Sequence, residues 1–220
     1  MREAYHVELD NLADHLASMC GQVAEAMEQA TQALLNSDLK LAEQVISNDA
    51  NIDDARADCE EKAYALLALQ APVATDLRIV VAALHAAESL ERMGDLALHV
   101  AKAARRRHPD PVLPEPVRAA FARMGEVDVR LARQAEEVIR TKDVEAARSI
   151  EADDDEVDDI HRSLFSVIMD KEWPHGMAAA VDVTLLGRFY ERYADHAVSV
   201  ARRIVFVVTG RMPGYNNSDI

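Results

Sequence analysis

Only two cysteines, Cys20 and Cys59, occur in 220 residues, and they form neither a Cys-x-x-Cys pair nor a disulfide framework. A stapled secreted scaffold is thereby excluded, and a reducing cytoplasm is the expected compartment. Glycine and proline are sparse at seven each and aromatics make up 5%, whereas Ala and Leu abound, a balance that favours helices. No glycine-rich nucleotide loop, HExxH or GxSxG motif occurs. Basic charge is also short: 24 Lys and Arg against 39 Asp and Glu give a net charge of −15. That balance argues against nucleic acid and against direct adhesion to anionic lipid. Long apolar runs are missing too. Ile79–Ala87 and Ile204–Val208 are too short to span a bilayer, and no apolar stretch of signal-peptide length follows Met1-Arg2-Glu3-Ala4. A soluble cytoplasmic protein is expected.

What is present is helical periodicity almost throughout. Val7, Leu9, Leu12, Leu16, Met19, Val23, Met27 and Leu34 form an apolar stripe at spacings near three and four. Asn36-Ser37-Asp38 stops one helix and caps the next, and Pro72 ends the second, with Thr75 or Asp76 expected to cap a third. Four prolines within His108–Pro116 cannot continue a helix and mark the clearest boundary. The same three-helix plan then returns. The expected helices span 2–36, 38–70, 75–107, 116–141, 143–172 and 177–209. They make an all-α fold of two tandem three-helix bundles, 1–108 and 117–210, joined by a linker at 109–116 and followed by a frayed tail at 211–220.

The two halves correspond in detail. Ser37-Asp38-Leu39 matches Lys142-Asp143-Val144 and Ile52-Asp53-Asp54 matches Val157-Asp158-Asp159, both at an offset of 105. Glu91-Arg92-Met93-Gly94-Asp95 matches Glu191-Arg192-Tyr193-Ala194-Asp195 at 100. A pseudo-twofold internal repeat follows. Within it, acids recur four residues apart as Asp49/Asp53, Glu91/Asp95, Asp154/Asp158 and Glu191/Asp195. Residues at that spacing share a helix face. The first two pairs are mirror images about Pro72, the last two about the Pro174–His175 bond. If each proline marks a hairpin turn, each half brings four carboxylates to one level.

Four carboxylates without an obligatory His or Cys suit a hard or borderline cation such as Mg, Ca, Mn or iron. Tight zinc sites usually add thiolate or imidazole. His161, three after Asp158, and His99, four after Asp95, are candidate supplementary ligands at non-equivalent repeat positions. The competing reading is a solvated acidic face neutralised by Arg56, Arg92, Arg162 and Arg192. Arg92 points about 100° away from Glu91 and is not expected to reach it. Cys59 and His85 also mirror each other about Pro72, which suggests a buried thiol beside a core histidine. Arg105-Arg106-Arg107 at a helix end reads as a dipole complement before it reads as a phosphate patch.

The combination resembles the PhoU family, regulators of bacterial phosphate uptake. The resemblance covers nearly the whole chain. It is carried by Pro72-Val73-Ala74-Thr75-Asp76-Leu77-Arg78, by Glu91–Asp95, and by Glu191-Arg192-Tyr193-Ala194-Asp195-His196-Ala197. It implies two three-helix bundles and E(D)xxxD pairs that bind iron or other metals in some members. These pairs fall on Asp49, Asp53, Glu91, Asp95, Asp154, Asp158, Glu191 and Asp195. Many relatives carry Asn four residues after each final Asp, where this chain has His99 and Ser199, and Trp173-Pro174-His175-Gly176 is a shorter second turn.

The resemblance further implies a non-enzymatic, homodimeric negative regulator of phosphate uptake and phosphate-starvation signalling. Its partners would be the phosphate ABC transporter and a membrane sensor histidine kinase, and its cofactor a metal (iron, Mg, Mn or Zn). Two alternatives compete. A di-metal carboxylate oxidase is disfavoured because Asp158/His161 alone approximates the Glu-x-x-His pairs of such bundles. The other is a plain helical adaptor without metal.

Overall fold

A computed structural model describes residues 2–211. Among these residues are six helices: α1 Arg2–Asn36, α2 Leu39–Gln70, α3 Ala74–Arg107, α4 Glu115–Thr141, α5 Val144–Ile168 and α6 Gly176–Thr209. There is no strand among the described residues. The longest, α1, has 35 residues and so extends about 50 Å. The tail expected over 211–220 lies, beyond Arg211, outside the described residues.

Repeated caps begin the second helix of each half. The Asp38 carboxylate accepts the backbone N–H of Leu41 at 3.0 Å. Asp143 accepts those of Glu145 and Ala146 at 2.9 and 3.1 Å. Each satisfies donors that a helix start otherwise leaves open. Lys142 and Gly210 end their helices in the left-handed conformation, at φ 57° and 72°. The caps expected at Thr75 or Asp76 are not used. Val73 precedes α3 with no side-chain cap, while the Thr75 hydroxyl accepts from Arg78 at 2.9 Å. Helix α5 stops four residues before the expected end. Asp170 takes the Glu172 N–H at 2.8 Å, a local bond that competes with the helix, and Trp173 Nε1 closes the turn onto the Gly176 carbonyl at 3.0 Å.

Helix α1 packs on α2, α3 and α4, and α6 on α3, α4 and α5. The result is two three-helix bundles side by side, joined through α1–α4 and α3–α6, with the hairpin partners α2 and α5 on the outside. Buried apolar residues of both halves form one continuous core. The α1 stripe enters it except at Val7, which is 56% exposed one turn into the helix. Gly125 permits the close α1–α4 approach, since a Cβ there would stand 2.6 Å from Thr31 Cγ2.

Candidate functional site

The hairpins α2–α3 and α5–α6 do bring the mirrored acids together. In the first half, burial and then the charges of Asp53 and Asp95 raise the Asp49 carboxyl above its ordinary range. Burial, followed by Asp95 and more weakly Asp53, raises Glu91. In the second half, burial and then Asp195 and Asp158 push Asp154 up to about 7. Glu191 is raised by burial, Asp195 and Asp158. Each cross-hairpin pair expected from the mirror relation, Asp49 with Asp95, Asp53 with Glu91, Asp154 with Asp195 and Asp158 with Glu191, is therefore close enough to repel.

The neutralising arginines differ from expectation. Arg92 does reach Glu91, with Nε at 3.5 Å, and Nη1 donates to Asp95 at 3.1 Å. A four-bond side chain folds back over the 100° that separates the two Cα–Cβ directions. In the second half Arg188, one turn earlier, pairs with Glu191, a contact the motif spacing did not suggest. Arg162 turns outward to Asp159 at 2.5 Å, and Arg56 bonds Glu60 at 2.5 Å while lowering Glu91.

The supplementary ligands divide. His99 bonds the Asp95 carbonyl at 2.6 Å and its ring lies 5.2 Å from that of Phe189. His161 lies beside Asp158, and its Nε2 is buried with no hydrogen-bond partner among the described residues. Burial and Arg188 hold it below the usual imidazole range, so it stays neutral and able to ligate. Gly187 makes room for it: a Cβ there would stand 3.0 Å from His161 Cδ2.

Two buried carboxylate oxygens, Asp154 Oδ1 and Glu191 Oε2, also have no donor among the described residues. The all-oxygen set with a neutral imidazole at its edge suits a hard or borderline cation. As they stand, no three His, Cys, Asp or Glu side chains among the described residues converge to a metal-holding group. Binding would therefore require side-chain rotation and displacement of Arg92 or Arg188.

Other expectations change. Cys59 is buried, and burial raises its thiol to about 11, but its mirror partner His85 faces solvent. The arginine run clamps two helices. Arg106 and Arg107 both bond the buried Asp182 of α6, at 2.9 Å and, for Arg107 Nε, 3.0 Å, and Arg105 lies 3.5 Å from Glu43. Asp182 was findable as a lone acid within the apolar phase of α6.

A further group escaped sequence reasoning. Asp128 is fully buried and neither carboxyl oxygen meets a donor among the described residues. Burial, then Asp154, raises its carboxyl well above the usual range, so it is held protonated. Nearby stand Tyr193, whose hydroxyl is likewise unpartnered, and Tyr190, which bonds Thr31 at 2.9 Å.

The PhoU domain family matches this chain twice, over residues 16–104 and 121–204. The two matches start 105 residues apart and end 100 apart, the same offsets that relate the acidic motifs. The chain is 58% identical over 213 residues to the phosphate-specific transport system accessory protein PhoU homolog 1 of Mycobacterium leprae, covering 97% of this chain and 96% of that one. It is also 58% identical to PhoU homolog 2 of Mycobacterium tuberculosis, over 97% of this chain and all of the relative. The crystal structure of PhoU from Pseudomonas aeruginosa superposes with a TM-score of 0.83 at 26% identity, over 94% of this chain and all of that one. PhoU from Streptococcus pneumoniae gives 0.87 at 24% identity, over 96% and 100%, a likeness of fold. Two bundles, a doubled motif and close relatives along the whole length agree: the chain belongs to the PhoU family.

Proposed function

We propose that this chain is a non-catalytic negative regulator of phosphate uptake and phosphate-starvation signalling. It acts as a homodimer through contacts with the phosphate ABC transporter and a membrane sensor histidine kinase. The observation that carries the reading is 58% identity along 97% of the chain to proteins named as accessory to phosphate-specific transport. The physical properties agree. No described helix is long and apolar enough to cross a membrane, and no nucleotide loop is present. Such a chain acts on uptake through partners that move or transfer phosphate themselves. Its net charge of −15 favours basic protein surfaces and makes such binding weaken with salt.

In this reading the acidic clusters hold a metal (iron, Mg, Mn or Zn). Asp154, Asp158, Glu191 and Asp195 bind it in the second half with His161 at the edge, and Asp49, Asp53, Glu91 and Asp95 bind it in the first. A bound cation would supply positive charge that relieves the mutual repulsion of each cluster and stiffens its hairpin. The ion pairs of Arg92 and Arg188 favour a second reading, a metal-free adaptor whose acids are neutralised within the chain. Elemental analysis after mild purification separates the two. Capture of the tagged protein from phosphate-replete cells, followed by mass spectrometry, tests the regulator itself. Recovery of transporter and kinase subunits is expected, and their absence would refute the assigned partners.

A further inference from the structure

The halves repeat one scaffold, so a contact present in one and missing from the other is informative. In the second half the seam between α4 and α5 is latched. Arg123 Nε donates to Glu156 at 2.6 Å, Arg130 Nη2 donates to its other oxygen at 3.1 Å, and Gln134 Nε2 donates to Asp153 at 2.8 Å. At the 105-residue offset, Arg123, Arg130, Gln134, Asp153 and Glu156 correspond to Ser18, Glu25, Gln29, Asn48 and Asn51. The first half thus has glutamate where Arg130 stands and asparagine where Glu156 stands. Among the described residues no lysine or arginine bridges this seam.

The seam between α1 and α2 is held at one end by His15, whose ring bonds the Ala55 carbonyl at 2.7 Å, and lies open nearer the hairpin turn. It forms a groove of about 360 Å³ lined by Glu25, Gln29, Asn48, Asp49 and Asn51 over an apolar floor at Ile52. No lysine or arginine among the described residues lines it, although Lys102 behind Asp49 offsets part of that carboxylate's charge. Gln29 donates to one Glu25 oxygen at 2.8 Å, leaving the other free to accept. Asn48 and Asn51 are exposed, and their side chains bond to no other described residue, so either carboxamide can turn its oxygen to a donor. The groove therefore offers two carboxylates and several carboxamide oxygens as acceptors. An anion would meet two carboxylates and be repelled. A guanidinium, with five N–H donors in a planar fork and no acceptor, matches this set, and its alkyl stem matches the apolar floor.

We propose that this groove receives an arginine side chain from a protein partner, which takes in trans the place that Arg130 fills in cis on the other bundle. The proposal rests on the reading of the chain as a regulator acting through protein contacts and names one point of contact. It commits to a protein source because an arginine presented by a docked segment is held against the seam by the rest of that segment, as Arg130 is held by α4.

The test uses the full-length protein, isotope-labelled, in buffer containing a metal chelator. It is titrated with acetyl-Gly-Arg-Gly-amide and, separately, with the same peptide carrying neutral citrulline. The carboxamide resonances of Gln29, Asn48 and Asn51 are expected to shift saturably with the arginine peptide, and at least tenfold less with citrulline. The double variant Glu25→Arg/Asn51→Glu rebuilds the latch of the second half. It is expected to fold with an unchanged or higher Tm and to bind the arginine peptide at least tenfold more weakly. If that variant fails to fold, Glu25→Gln/Asp49→Asn, which removes the charge and keeps the shape, is expected to show the same tenfold loss. Equal shifts with both peptides, shifts centred elsewhere, or undiminished binding by the folded variant would overturn the proposal. Transport partners captured equally by parent and latch variant would also overturn it while leaving the regulatory reading intact. No partner captured by the parent counts against the regulator, and the peptide titration then decides the groove by itself.

Discussion

The two bundles share a backbone plan and differ in what they bury. Val23, Leu90 and Met93 fill the middle of the first, all fully buried. At the repeat offsets the second half places Asp128, Tyr190 and Tyr193 there, equally buried. The same division runs through the acidic sites. Asp154 is pushed to about 7, with Asp128 beneath it, whereas its counterpart Asp49 has Lys102 and His99 to offset its neighbours. The two halves therefore keep the same helices and register, while the second carries a buried polar interior beside its carboxylates. Helical packing fixes spacing and volume, and it leaves the polarity of each core position free to diverge wherever a hydrogen-bonding or neutralised partner is near.

That contrast can be broken deliberately. The largest effect should come from Val23→Asp, which places an acid at a fully buried apolar position of α1. A loss on the order of 3 kcal/mol or more in denaturant unfolding is expected, and a loss below about 1 kcal/mol would mean that the first core tolerates polarity as the second does. The reverse change, Asp128→Val, gives the second core the residue of the first and removes an unpartnered buried carboxyl. It should stabilise by about 1–3 kcal/mol. A destabilised variant would show that Asp128 is hydrogen-bonded in solution, and Tyr193→Phe would then reproduce part of the loss.

The acidic clusters give a third test. Glu91→Ala with Asp95→Ala should leave the apo Tm level or higher, because like-charge repulsion is removed, and should shrink the rise in Tm that added iron or manganese produces. An unchanged metal response would reduce that cluster to a solvated face.

The smallest effect is a pH dependence. The folded-state pKa of Asp154, about 7, exceeds its ordinary value of 3.8, so between these values the folded chain holds a proton that the unfolded chain has released. Stability from this group is fully present below about pH 4 and is lost as pH rises through 7. Asp154→Asn mimics the protonated form. Its Tm should exceed that of the parent by on the order of a few degrees at pH 8, and the gap should close towards pH 4. A gap independent of pH would assign the effect to shape instead of charge.

Much of this is legible in the sequence for physical reasons. Helical period placed six helices, and the Asp38 cap, its repeat counterpart at Asp143 and the prolines mark most of their ends. The mirror relation about each hairpin turn placed the eight carboxylates opposite one another, because two antiparallel helices of equal rise keep symmetric residues level. Three kinds of feature were not legible. The end of α5 depends on one competing side-chain bond at Asp170. The reach of Arg92 and the position of Arg188 depend on rotamers, which spacing does not encode. Asp128 carries a readable signal, an acid in phase with Phe121, Met124 and Leu131 of the α4 stripe, but it stands alone, outside the i,i+4 acid pairs. The α1–α2 groove emerges only when both seams are compared residue by residue.

The proposed role of this chain is to hold phosphate uptake in check through its partners. Its most direct test is expression of the phosphate-transporter genes in phosphate-rich medium, measured in a strain from which this gene alone is deleted and which has no second copy. High expression, returned to the low level by the intact gene, is the predicted result; expression that stays low after deletion would contradict the claim even if both bundles and their metal sites proved correct.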